Sequence, residues 1–254
     1  QMCPGPPDLH MENRTISDWI DRIADRFSAA GLFFGHGTDN AQDEAAWLVL
    51  FVVGAPLDGS FTDWGRVVGA DEAREIDRLA TERCTSRKPL AYLTGTAFFA
   101  GLEFHVNENV LVPRSPVAEL IIDHYRPWVR PVEVRNVLDM CTGSGCIAIA
   151  SAMVLENAQV IAADISEEAL QVARRNIHRH GLEDRVSALQ TDLFSQVPAI
   201  DFDLIVANPP YVSANEMRDL PEEYQQEPGL GLASGQDGLD AALQILLDAP
   251  RFLG

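Results

Sequence analysis

Cysteine is scarce in this 254-residue chain: Cys3, Cys84, Cys141 and Cys146 make no Cys-x-x-Cys pair and have no His-rich companion segment. That pattern excludes the usual zinc spacings and a disulfide framework, and it predicts free thiols in a reducing cytoplasm with no metal site. Positive charge is also scarce. Nineteen Lys and Arg stand against 38 Asp and Glu, a net charge of −19 with a pI near 4.5. Such a surface opposes nonspecific attachment to nucleic-acid phosphates or anionic lipid and favours a basic partner. No uninterrupted apolar run approaches the roughly 20 residues of a membrane span, no signal-peptide pattern opens the chain, and repeats are absent. What is present is ordinary for a globular protein, 46% hydrophobic and 22% charged residues, long enough for one medium domain with a smaller attachment.

Residues 1–12 begin with Gln1, are rich in Pro and Gly, and read as a disordered leader or expression remnant. Residues 13–95 read as a helical domain. Ile16, Ile20, Ile23 and Phe27 recur at helical spacing with Gly31 as a stop, and further helices are predicted from about Asp43 to Val53 and from Asp71 to about Cys84. Residues 96–130 read as a β-hairpin and linker. Phe98 to Phe104 suggests two short strands about a tight turn, and Val110-Leu111-Val112 a further strand ended by Pro113. Prolines between Tyr125 and Arg135 mark the boundary to the last part.

Over 131–254 the pattern alternates. Strands are predicted at Val137–Met140, Gln159–Ala163, Val186–Leu189 and Phe202–Ala207, with helices from Cys146 to Val154 and from Ser166, a capping residue, to Gly181. Alternation of this kind implies an α/β fold with a doubly wound, mostly parallel sheet. After the fourth strand only one helix, about Gly238 to Leu247, and a few residues follow.

Two constellations carry chemistry. In the first, Asp139-Met140-Cys141-Thr142-Gly143-Ser144-Gly145, a strand feeds a glycine loop that opens a helix, bringing backbone donors close to a ligand. Asp164, ending the next strand, is placed to accept hydrogen bonds from ribose hydroxyls. The loop also resembles part of a dinucleotide fingerprint, but an acid at Asp139 suits an ammonium group, hence S-adenosylmethionine, better than a pyrophosphate. In the second, Asn208-Pro209-Pro210-Tyr211 follows the fourth strand. The prolines hold Asn208 in an extended turn, so that its oxygen and the Pro209 carbonyl can both accept from one NH2 group, and Tyr211 offers a face for a flat substrate group.

Asp-x-x-x-Gly-x-Gly with Asn-Pro-Pro-Tyr resembles the signature of class I methyltransferases acting on planar amino groups. Within these the chain is similar to the N5-glutamine methyltransferases of the HemK/PrmC/PrmB group, also over Tyr92 to Gly95, the Phe98–Phe104 hairpin, Leu111 to Arg114, Glu119-Leu120 and Gly231 to Leu239. Pro113-Arg114-Ser115-Pro116, Phe34 to Asn40 and Cys141 to Cys146 resemble the branch that modifies the third large-subunit ribosomal protein.

The resemblance implies a Rossmann-like methyltransferase fold with a small N-terminal helical domain for substrate recognition. It implies that Cys141, Thr142, Gly143, Ser144, Gly145, Asp164, Asp192, Leu193 and Asn208 contact S-adenosylmethionine, leaving S-adenosylhomocysteine as product. Asn208, Pro209, Pro210 and Tyr211 would hold the glutamine. Arg114 and Glu119 would shape the entrance or form a structural ion pair. Relatives carry three more strands, so the catalytic domain reads as C-terminally incomplete. A release factor or adenine as substrate, and a noncatalytic binding module, remain as alternatives.

Overall fold

The computed structural model describes residues 14–213 and 215–254, so the segment read as a leader lies outside the described residues. The chain divides into two compact units, one up to Thr94 and one from Gly95 onward.

In the first unit, α1 (Ile16–Ala29) starts at a reciprocal cap: the Asp18 N–H donates to the Thr15 hydroxyl oxygen and the Thr15 N–H to the Asp18 carboxylate. Its Ile16, Ile20, Ile23 and Phe27 are buried, the face their spacing predicts. α2 (Ala41–Val52), α3 (Ala70–Ser86) and the short α4 (Leu90–Thr94) complete the unit. Inside it, Arg83 of α3 donates to Glu44 of α2 at 2.7 Å, with the two side chains 0% and 2% exposed. A second Arg83 nitrogen donates to the Phe33 carbonyl at 3.0 Å.

The second unit opens with an antiparallel hairpin, β1 (Thr96–Phe99) and β2 (Leu102–His105). Ala100 and Gly101 turn it at φ +48° and +78°, the doubly left-handed turn whose twist suits a two-residue hairpin. The strand expected at Val110-Leu111-Val112 does not form. Val110 and Val112 are buried, but the Val112 N–H is taken by the Glu227 carboxylate at 3.0 Å instead of by a neighbouring strand. α5 (Val117–Ile122) follows.

The main sheet contains β3 (Asn136–Met140), β4 (Gln159–Asp164), β5 (Val186–Gln190) and β6 (Leu204–Ala207). Its order is β5-β4-β3-β6 and every pairing is parallel. The last strand starts at Leu204, because Phe202 instead bridges Leu253 in parallel. Helices α6 (Cys146–Val154) and α7 (Glu167–Arg179) carry the chain from β3 to β4 and from β4 to β5. After β6 come α8 (Glu216–Asp219), α9 (Gly229–Leu232) and α10 (Asp240–Asp248).

Alternation along β3 explains why both faces are covered. Val137 joins the cluster containing Ile147, Ile149 and Ile177 of α6 and α7. Leu138 and Met140 join Phe194, Phe202 and Ile245, the last from α10. The chain moves outward from β3 through β4 to β5, then returns to β6 on the other side of β3. Beyond the carboxyl ends of β3 and β6 the connections diverge, which opens a crevice. In register, Met140 stands opposite Ala163 and Ala207, so the segments after three strands begin at one level.

Candidate functional site

The glycine loop after β3 is held from three sides. Below it, Asp139 is fully buried and its Oδ2 accepts from the Thr142 hydroxyl at 2.5 Å and the Ala148 N–H at 3.0 Å. Its Oδ1 has no partner among the described residues, and burial pushes the carboxyl up to about 7. Beside it, Asp164 accepts from the Gly143 N–H at 2.8 Å and the Ser166 N–H at 3.0 Å. On the third side, Asn176 of α7 donates to the Ser144 carbonyl at 2.8 Å. Gly145 turns the loop into α6 at φ +81°, where a Cβ would stand 3.2 Å from that of Ala173; close packing on α7 and the left-handed backbone both require glycine there.

Asn208-Pro209-Pro210-Tyr211 leaves β6 directly after Ala207. Pro209 and Pro210 are half-buried, whereas Tyr211 is 66% exposed. This loop, the glycine loop and the segments after β4 and β5 line one cavity of about 610 Å³, within the size range of cofactor sites. Beyond β5, the Thr191 hydroxyl donates to the Leu193 carbonyl at 2.8 Å and accepts from the Gln196 N–H at 3.0 Å. Leu193 is thereby kept at φ +45° beside Asp192.

Most residues expected at the site meet on this cavity: Cys141 through Ser144, Asp164, Asp192, Leu193, Asn208 through Tyr211, and Arg114. Asp139 does not line it. Strand alternation turns its side chain inward beneath the loop, so it braces the loop rather than facing a ligand's ammonium group. Gly145 likewise sits behind the wall, against α7. Of the two readings of Arg114 and Glu119, the ion pair between them is not made. Glu119 is exposed on α5, and Arg114 instead forks onto Glu227 at 2.7 and 2.5 Å.

Glu227 and Asn176 are two residues that reading the sequence misses. Asn176 had a signal, a polar side chain on the buried stripe of α7 with Ala169, Val172, Ala173 and Ile177. Glu227 had none beyond an unanswered charge on Arg114, since 113 residues separate them. Cys141 and Cys146 border the cavity, but burial pushes both thiols up to about 12, so neither is an available nucleophile at neutral pH. No helix among the described residues is long and apolar enough to cross a membrane.

A glycine loop after the first strand of a doubly wound parallel sheet, facing a proline-stiffened Asn beyond the switch point, is the plan of the class I methyltransferases. The family model for the methyltransferase small domain matches residues 119–223. Curated proteins called ribosomal protein uL3 glutamine methyltransferase match nearly the whole chain. The one from Bordetella pertussis is 48% identical over 245 residues, 95% of this chain and 82% of that one. Those from Neisseria meningitidis serogroup A and Francisella tularensis are 47% and 43% identical, over 95% and 97% of this chain and 80% and 79% of theirs. The chain belongs to this family of protein-glutamine methyltransferases.

Proposed function

We propose that the chain methylates the side-chain amide nitrogen of a glutamine in ribosomal protein uL3, with S-adenosylmethionine as donor and S-adenosylhomocysteine as product. Support for the substrate comes from the names of relatives 43–48% identical to it. Support for the chemistry rests on one observation above the rest: Asn208-Pro209-Pro210-Tyr211 follows β6 at the level where the glycine loop follows β3, and both line the same cavity.

The residues present fit that cofactor. Gly143 and Ser144 bring backbone to the cavity wall, and Asp164, with carboxylate lone pairs beyond its two backbone bonds, would take the ribose hydroxyls. Asp192 and Leu193 would border adenine; Leu193 packs on a ring but cannot stack as an aromatic would. When bound, the cofactor supplies a sulfonium methyl group for transfer. An amide nitrogen is a weak nucleophile because its lone pair is delocalised into the carbonyl. The Asn208 side-chain oxygen and the Pro209 carbonyl would accept both amide hydrogens and aim the nitrogen. Their dipoles would favour the positive charge that grows on it, and fixed orientation supplies much of the rest. Tyr211, exposed at the mouth, would cover the flat amide as it enters. The proton is released to solvent after transfer. The acidic helical unit would recognise the basic protein substrate, and the cysteines among the described residues, Cys84, Cys141 and Cys146, are free thiols, which agrees with a reducing cytoplasm.

Radiolabelled S-adenosylmethionine offered with purified uL3 and, separately, a release factor tests this reading. Label on uL3, lost with Asn208→Ala, is the expected result. Label on the release factor alone would transfer the enzyme to the sister branch, and no label on either would remove the proposal.

A further inference from the structure

The Asn208–Tyr211 loop is anchored by the sheet at one end only. Its far end continues into Val212, which bridges Ala233 in parallel. The Val212 N–H donates to the Leu232 carbonyl at 2.8 Å and the Ser234 N–H to the Val212 carbonyl at 3.0 Å. Gly238 passes so near the Tyr211 carbonyl that a Cβ would stand 2.3 Å from it. The loop therefore rests on residues 232–238, which belong to no sheet, and their own attachment decides how firmly it is held.

That attachment begins at Glu227. Its side chain is 0% exposed, and its carboxylate accepts from the Val112 N–H at 3.0 Å and from both terminal nitrogens of Arg114. Arg114 also donates to the Val112 carbonyl at 3.2 Å and stands 5.1 Å from the Tyr224 ring centroid. Just beyond, Gly231 lies against Leu111 with no room for a Cβ. A bidentate ion pair on a fully buried carboxylate is more rigid than a pair of two exposed side chains.

We propose that Glu227, through Arg114 and Val112, is a positioning residue that straps down the far end of the acceptor loop and so sets the efficiency of methyl transfer to the protein. This rests on the reading above that the loop holds the acceptor amide.

The test uses the full chain with Glu227→Ala, Glu227→Gln and Arg114→Lys. Three quantities are read: amide hydrogen exchange at Val212 and Ser234, calorimetric affinity for S-adenosylhomocysteine, and kcat and KM with uL3. For Glu227→Ala, exchange at both amides should rise at least tenfold and kcat/KM should fall at least thirtyfold, while S-adenosylhomocysteine affinity stays within threefold. Glu227→Gln keeps an acceptor for Val112 and should recover most of the exchange protection. Should Glu227→Ala not fold, Arg114→Lys, which keeps the charge but loses the fork, carries the same expectation in weaker form. Unchanged exchange overturns the strap, as does raised exchange with undiminished transfer, or a loss of S-adenosylhomocysteine affinity as large as the loss of turnover. If the wild-type chain methylates no uL3, the functional reading fails, and the exchange data still judge the strap.

Discussion

Asn176 joins the glycine loop after β3 to the hairpin: its amide nitrogen donates to the Ser144 carbonyl at 2.8 Å and the His105 carbonyl at 2.9 Å, while its oxygen accepts the His105 N–H at 2.7 Å. Three backbone groups from two distant segments are thus satisfied by one buried side chain. Asn176→Ala strands them, at about 1–3 kcal/mol for each buried group left unpaired. Chemical denaturation should show a loss of several kcal/mol, and calorimetry at least a tenfold weaker S-adenosylhomocysteine affinity. Full affinity in a folded Asn176→Ala protein would mean that the loop holds its shape without this bond.

Asp139 predicts a pH dependence. Its carboxyl is pushed by burial from the ordinary value near 3.8 up to about 7. Between those values the folded chain binds a proton that the unfolded chain has released, so stability falls as pH rises through the window and levels off above about 7. Wild type should therefore lose about 2 kcal/mol between pH 5.5 and 8 relative to Asp139→Asn, measured by urea unfolding without cofactor. Parallel curves for the two proteins would show that Asp139 does not titrate there.

The Arg83–Glu44 pair lies where neither charge reaches water, and burial raises the Glu44 carboxyl even with Arg83 beside it. Removing one partner leaves the other's charge buried without its counter-charge, which costs roughly 3–5 kcal/mol. Arg83→Ala should be destabilised by that much in urea. Arg83→Met with Glu44→Leu should regain a large share of it. Equal stability of the single and double variants would contradict the pairing account.

On the proposed reading, in which Asn208 holds the acceptor amide, losing such a preorganised acceptor costs about 10²–10³ in kcat. Asn208→Ala should show that loss with S-adenosylhomocysteine affinity changed by less than the turnover. A variant equally impaired in both would identify Asn208 as a cofactor residue first.

Helix α1 is legible because it buries one apolar stripe, Ile16, Ile20, Ile23 and Phe27, all of which are buried. The parallel strands were legible as short apolar runs between helices, and the two loops as glycine and proline in the right strand context. Val110–Val112 looked like a strand for the same reason, since an apolar run looks alike whether its N–H groups meet a ladder or a carboxylate. The sequence offers Arg114 and Glu119 either as entrance residues or as an ion pair, and nothing local points 113 residues ahead from Arg114 to its partner Glu227.

By itself, the sequence determined most of the main helices and the four parallel strands, where the glycine and proline loops lie, and the resemblance to glutamine methyltransferases, since periodicity, glycine and proline act within a few residues of where they stand. Only the tertiary structure decided that β6 returns to the far side of β3, which brings the loops after Met140 and Ala207 to one cavity. It also decided that Asp139 points beneath the loop instead of into the cavity, and that Glu227 closes on Arg114. Those outcomes depend on which surfaces bury against each other, and burial is a property of the packed chain rather than of any one stretch of it.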